Sequence, residues 1–205
     1  METLSKLFGS AAKVKIVKLF IFNPETAFDI DTISERIKES SSKVRAEMGN
    51  LEKMRLIKRK VFSKTVKRKR RTGAVSKKVK ARGWILNDGF QYLAPLQIFL
   101  VGMNHLSPKD ILRKLSKAGT IKLVIVAGVF IQNLESRVDL LVVGDHIKRH
   151  NVESSIKAIE AELGRELRYA VFETADFMYR LGMYDKLVRD ILDYPHEKVV
   201  NKLNI

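Results

Sequence analysis

Between Met54 and Asn87 the chain carries no acidic residue, while Arg55, Lys58, Arg59, Lys60, Lys64, Lys67, Arg68, Lys69, Arg70, Arg71, Lys77, Lys78, Lys80 and Arg82 recur through the stretch. Like charges at that density repel one another, so the segment must face water or a polyanion. Its densest part, Val66 to Gly73, lies between two runs that read as strands, Ile57 to Val66 and Val75 to Leu86. That arrangement predicts the tip of a long β-hairpin rather than a loose tail.

The remaining charge is divided unevenly. Residues 1–103 hold 23 Lys and Arg against 9 Asp and Glu, whereas residues 104–205 hold 16 against 14. Two domains with different partners account for that split, the basic half meeting nucleic acid. The 205 residues are 45% hydrophobic, enough for real cores in one or two domains. No cysteine is present, which excludes disulfides and thiolate metal sites and suits a reducing cytoplasm, the expected location. Met1 to Lys6 lacks a basic segment followed by an apolar one, so no signal peptide is expected. The longest apolar stretch, Tyr92 to Met103, falls short of the roughly 20 residues that a bilayer requires, and no membrane partner is expected.

In the basic half, Val14, Ile16, Val17, Leu19, Phe20 and Phe22 mark a helix from Ala11 that Asn23-Pro24 stops. A second helix is predicted from about Asp31, capped by Asp31 or Thr32, with Ile33 and Ile37 inward. After a break at Glu39-Ser40-Ser41, Ser41 or Ser42 is expected to cap a third helix whose Val44, Met48, Leu51 and Met54 recur at helical spacing. Its other face presents Ser42, Lys43, Arg45, Ala46, Gly49, Asn50 and Lys53. Two short helices around a tight Ser-rich break have the sequence form of a helix-turn-helix. Arg45 and Asn50 are side chains able to read base edges from a major groove. The hairpin cations would neutralise phosphates or enter the minor groove.

The segment from Leu7 to Phe20, followed by Asn23-Pro24, resembles the start of winged-helix transcriptional regulators of the MarR/ArsR-like type, over residues 1–88. The resemblance implies a third helix that reads double-stranded DNA, a hairpin that serves as the wing, and action as a homodimer. It places DNA contacts on Ser42, Lys43, Arg45, Ala46, Asn50 and Lys53 of the helix and on Lys67, Arg68, Lys69, Arg70 and Arg71 of the wing. This wing is longer and more basic than the usual pattern, which leaves RNA or non-specific DNA open as ligands.

Residues 89–107 read as a connector: an apolar helix from Phe90 to Val101, with Pro95 either kinking it or marking its first turn, and a linker to Ser107-Pro108. The apolar helix needs a partner surface, in a dimer or between domains. From residue 108 to 205 helices and strands alternate: helix Lys109–Ala118, strands Ile121–Ala127 and Val138–Val143, helix Val152–Leu163, strand Leu167–Phe172, then helices to the end. The fold class expected for the whole chain is α+β, the second half being an α/β domain around a small mixed sheet.

Ala127-Gly128-Val129-Phe130, followed by Ser136-Arg137-Val138-Asp139-Leu140-Leu141-Val142-Val143-Gly144-Asp145, resembles the core of the DNA polymerase β-like nucleotidyltransferases, especially their minimal members. That family carries a Gly-Ser turn, then a Ser-Asp-x-Asp stretch, then a third carboxylate on a later strand. Here Val129 stands where the Ser belongs and Arg137 where the first metal-binding Asp belongs, leaving Asp139 of that pair. The strand Arg168-Tyr169-Ala170-Val171-Phe172 offers no carboxylate, with Glu166 and Glu173 at its ends. Nucleotidyl transfer needs two divalent cations about 3.5–4 Å apart bridged by carboxylates, so the resemblance implies a domain without catalysis and without a metal or other cofactor. Arg137 is expected to occupy the anionic pocket by pairing with Asp139, and Gly128, Arg137 and Asp139 are the candidate remnant of a nucleotide site. His146 and His150 lack a further zinc ligand, and Asp145 to His150 reads as a polar loop. The C-terminal apolar stripe from Phe177 to Leu192 reads as core or dimer interface.

These readings converge on a cytoplasmic DNA-binding regulator of transcription fused to a nucleotidyltransferase-like pseudoenzyme domain for dimerisation or ligand sensing. An active nucleotidyltransferase and an RNA-binding accessory protein are the alternatives.

Overall fold

The computed structural model describes residues 2–70, 73–102, 106–133 and 135–205, with side chains for all of these except residue 2, residues 66–70 and residues 73–75. The chain is of mixed α and β content and divides into two compact units, Met1–Val101 with Ala161–Arg165, and Gly102–Glu160 with Glu166–Ile205. Among the described residues no helix is long and apolar enough to cross a membrane.

The first unit begins with helix α1 (Glu2–Phe8) and helix α2 (Ala11–Ile21), the latter capped by the Ser10 hydroxyl, which accepts from the Lys13 N–H at 3.3 Å. Most of α2 is out of water, and Val14, Ile16, Val17, Leu19, Phe20 and Ile21 are buried. Helices α3 (Ile30–Ile37) and α4 (Ser41–Lys53) pack on it through Ile33, Ile37, Val44, Met48 and Leu51. Each such side chain contributes about 1.5–3 kcal/mol by leaving water. The cap of α3 is Asp29 rather than Asp31 or Thr32, because the helix already starts at Ile30; its carboxylate accepts from the Thr32 N–H at 2.9 Å. For the same reason Ser40, not Ser41 or Ser42, caps α4. Lys38, in the left-handed region at φ 54°, ends α3.

Strands β1 (Ile57–Arg70) and β2 (Gly73–Leu86) form one antiparallel hairpin in unbroken register from Ile57↔Leu86 to Arg70↔Gly73. The strands therefore run four residues past Val66, and Lys67–Arg70 belong to the ladder rather than to a loop at its tip. A ribbon with two wet faces needs no apolar alternation, because the main-chain ladder alone specifies it. Arg71 and Thr72 lie outside the described residues. At the root, Phe28 pairs with Trp84 through two N–H···O bonds of 2.9 Å, adding a single residue of third strand. Gly83 makes that approach possible: a Cβ there would stand 2.2 Å from the Phe28 carbonyl oxygen. Helix α5 (Leu93–Gly102) buries Leu100 in the same core, with Phe90, Leu93 and Leu96 packed against it. Pro95 falls in its first turn, where its missing N–H costs no helical bond.

The second unit opens with α6 (Pro108–Leu115), capped by Ser107, and continues with β3 (Thr120–Val126), a 3₁₀ turn at Gly128–Phe130, β4 (Leu140–Asp145), α7 (Arg149–Leu163) and β5 (Tyr169–Glu173). Helices α8 (Thr174–Gly182) and α9 (Lys186–Asp193) and strand β6 (Glu197–Asn201) follow. The four-stranded sheet has the order β5-β4-β3-β6, with β4 and β6 antiparallel to β3 and β5 parallel to β4. Strand β6 corrects the expectation of helices to the end: Pro195 follows α9, and Val199 and Val200 tuck half-buried against β3. The apolar stripe from Phe177 splits. Phe177, Val188 and Ile191 are buried under the sheet with Leu181, Leu187 and Leu192, while Met178, Met183 and Tyr184 are exposed.

Candidate functional site

In the first unit, Val44, Met48 and Leu51 hold α4 against the core, so the opposite side faces water. Ser42, Lys43, Arg45, Ala46, Gly49, Asn50 and Lys53 are all exposed. Lys43 pairs with Glu39 at 3.6 Å, and Glu39 also receives Lys15 at 2.8 Å. The Lys15 hydrogen bond holds the Glu39 carboxyl below its ordinary range against the opposing effect of burial. Arg45, Asn50 and Lys53 have no ion pair or side-chain hydrogen bond among the described residues.

Arg45, Gly49 and Glu52 recur at helical spacing along one stripe of α4, and Glu52 ties that stripe to the hairpin root. Its carboxylate accepts from Arg59 Nε at 2.6 Å and from Trp84 Nε1 at 3.0 Å, while the Arg59 guanidinium lies over the Trp84 ring. Arg59 first and Trp84 second hold the Glu52 carboxyl below its ordinary value. On the other side of the hairpin, Lys64 reaches Asp29 at 2.8 Å and Thr32 at 2.8 Å. Burial pushes the Asp29 carboxyl up, but the Lys64 and Thr32 hydrogen bonds together outweigh it and hold it low. Lys58 pairs with Asp88.

The hairpin is thus anchored at its root by three of its own cations. The others with described side chains, Lys60, Lys77, Lys78, Lys80 and Arg82, are exposed and have no acidic partner among the described residues. Lys67, Arg68, Lys69 and Arg70 are described only as backbone in the ladder, and Arg71 falls outside the described residues.

In the second unit Gly128 and Asp139 come together and Arg137 does not join them. Gly128 takes φ +53°, and a Cβ there would lie 1.9 Å from the Asp139 Oδ1. Asp139 is 1% exposed. Its Oδ1 accepts from the Val129 N–H at 3.0 Å and from Arg168 Nη2 at 3.1 Å; its Oδ2 accepts from the Arg168 N–H at 2.9 Å and from Arg168 Nε at 3.2 Å. The expected pairing of Arg137 with Asp139 is therefore corrected: Arg168 takes that carboxylate, and Arg137 pairs with Asp190 at 2.9 Å. The reason is the parallel register of β4 with β5, Leu140 opposite Tyr169, which sets the residues just before both strands side by side.

Glu173 turns to the loop after β4, accepting from the His146 N–H at 3.1 Å and the Ile147 N–H at 2.8 Å. Helix α7 starts at Arg149, so the polar loop is shorter than expected: His146 precedes the helix and His150 lies in its first turn. Among the described residues no group of His, Cys, Asp and Glu is placed to hold a metal ion.

Sequence reasoning missed Glu52, Trp84, Asp29 and Arg168. Glu52 carried one usable signal, being the last acidic residue before the acid-free stretch. The other three owe their roles to register and tertiary approach. No known protein family, no curated protein and no solved structure matches this chain.

Proposed function

We propose that the chain is a DNA-binding transcriptional regulator. In this reading the first unit is a winged helix-turn-helix in which α4 enters the major groove of duplex DNA and the hairpin is the wing. The observation that carries the reading is the free cationic and polar surface of α4, joined through Glu52 to a hairpin whose exposed Lys60, Lys77, Lys78, Lys80 and Arg82 have no acidic partner among the described residues. A helix has the width of the major groove, and Arg45 and Asn50 carry the donors and acceptors that read guanine and adenine edges. Two copies acting as a homodimer would present two such helices to half-sites one helical turn apart.

The second unit serves dimerisation or ligand sensing and does not catalyse. What supports this is the state of Asp139, whose two oxygens receive four protein donors. A carboxylate so engaged has no lone pair directed at a pair of divalent cations.

The test is duplex-DNA binding by fluorescence anisotropy as a function of salt. A steep fall of log K with log salt, flattened by alanine at Lys67, Arg68, Lys69, Arg70 and Arg71, supports the reading. Absence of measurable duplex binding at low salt refutes it.

A further inference from the structure

We infer that the nucleic-acid backbone lies lengthwise along one particular face of the hairpin, held by Lys78, Lys80 and Arg82 of β2 with the hydroxyls of Ser63 and Thr65 of β1. The inference rests on the DNA-binding reading above and deepens it by naming the surface and the ligand group, a run of consecutive phosphodiesters.

The register sorts the hairpin side chains into two faces. Directly opposite residues share a side, as do residues two apart along a strand. Arg59↔Trp84, Val61↔Arg82, Ser63↔Lys80 and Thr65↔Lys78 therefore occupy one face. Lys58↔Ile85, Lys60↔Gly83, Phe62↔Ala81 and Lys64↔Val79 occupy the other. On this second face Lys64 is held by Asp29 and Thr32 and Lys58 by Asp88, which leaves Lys60 and Lys77 as its cations with described side chains and no acidic partner among the described residues.

The first face is organised differently. Arg59 is spent on Glu52 at the root, and beyond it Arg82, Lys80 and Lys78 follow at every second residue, exposed and with no acidic partner among the described residues. Their span is about 13–14 Å at 3.3–3.4 Å per residue. Exposed Ser63 and Thr65 lie directly across from Lys80 and Lys78, so a donor hydroxyl accompanies each of the two lysines, while Arg82 faces Val61. Arg, Lys, Ser and Thr are the side chains that bind phosphate oxygens. At its root this face opens into a cleft of about 320 Å³ lined by Arg59, Val61, Arg82 and Trp84, among others. Through Glu52 it continues into the α4 stripe of Gly49 and Arg45. A duplex seated on α4 thus meets the row without turning the hairpin.

The experiment compares salt slopes of duplex-DNA binding for the full chain and three variants. Lys78→Gln/Lys80→Gln/Arg82→Gln should lower the slope by about 2.7, at roughly 0.9 per contact. Lys78→Arg/Lys80→Arg/Arg82→Lys, which keeps the charges, should keep it. Lys60→Gln/Lys77→Gln, on the opposite face, should also leave it unchanged. All these positions are exposed, and far-UV circular dichroism checks that each variant folds. If the parent binds duplex DNA and the Lys78/Lys80/Arg82 variant retains the parental slope, the row is not the contact, while the regulator reading stands. An equal loss per charge from Lys60 and Lys77 overturns the choice of face. A parent that does not bind duplex DNA overturns both readings together.

Discussion

Asp139 and Arg168 meet through three hydrogen bonds, two from the guanidinium and one from the Arg168 main chain, on a carboxylate that is itself almost wholly out of water. With the Val129 N–H as a fourth donor, the carboxylate ties the turn after β3 to the start of β5 across β4. Asp139→Ala leaves the Val129 and Arg168 N–H groups without their acceptor. The expected cost is about 2–4 kcal/mol, read as a lower urea midpoint for the full chain, with duplex-DNA affinity unchanged. Arg168→Met should cost less, about 1 kcal/mol, because that side chain is half exposed and water screens the pair.

Gly128 and Asp139 are coupled sterically as well as through hydrogen bonding. Gly128→Ala meets two penalties: a left-handed backbone at φ +53° and a Cβ that would press on Oδ1 at 1.9 Å. Conformation alone costs about 1–2 kcal/mol for an L residue there. Once Asp139 is alanine the clash is gone, so Gly128→Ala/Asp139→Ala should be destabilised by less than the sum of the single variants. A double-mutant cycle by urea unfolding reads the coupling, expected at about 1 kcal/mol or more. Strict additivity would mean that the turn relaxes away from the carboxylate without cost.

The course of the elements was largely legible in the residues, because α2 and α4 advertise themselves by apolar spacing and the cationic stretch excludes itself from any core. What could not be read was set by register. Lys67–Arg70 looked like a loop because their side chains show no alternation, yet the ladder continues through them on main-chain bonds alone. Arg137 was the nearer partner of Asp139 in sequence, but it pairs with Asp190, and the parallel register of β5 with β4 brings Arg168 alongside instead. Trp84, the lone tryptophan, read as a strand residue; its bond to Glu52 depends on how the hairpin root packs on α4.

Lys18 is a buried cation in the core helix α2, with Nζ donating to the Glu162 carbonyl at 3.2 Å. Burial lowers its pKa to about 8 from 10.5, the Glu162 charge opposing part of that fall. Below pH 8 the folded chain must hold an ammonium away from water. Between pH 8 and 10.5 the folded state has released this proton while the unfolded chain still binds it, so stability rises with pH across that window. Lys18→Met removes the contribution. Thermal melts at pH 7 and pH 10 should show the parent gaining on the variant as pH increases, by about 5–10 °C. Parallel pH profiles for the two proteins would show that Lys18 keeps its proton in the fold.

In the proposed regulator, base reading would fall to α4 and phosphate binding to the hairpin. Arg45 and Asn50 stand exposed and uncommitted five residues, about 1.4 turns, apart on the same helix. Neither is needed for the core, so Arg45→Ala and Asn50→Ala should melt within about 0.5 kcal/mol of the parent. Each should lose about 1–3 kcal/mol on the preferred sequence and little on random duplex, narrowing the ratio between them. Asn50→Ala should leave the salt slope intact, since an amide displaces no counterion, whereas the hairpin variants flatten the slope and preserve the ratio. Selection of bound fragments from a random duplex pool, followed by anisotropy on the enriched and scrambled sequences, measures that ratio. If Arg45→Ala and Asn50→Ala both retain the parental preference, α4 does not read the bases, and whatever specificity the protein has lies in the shape of the DNA.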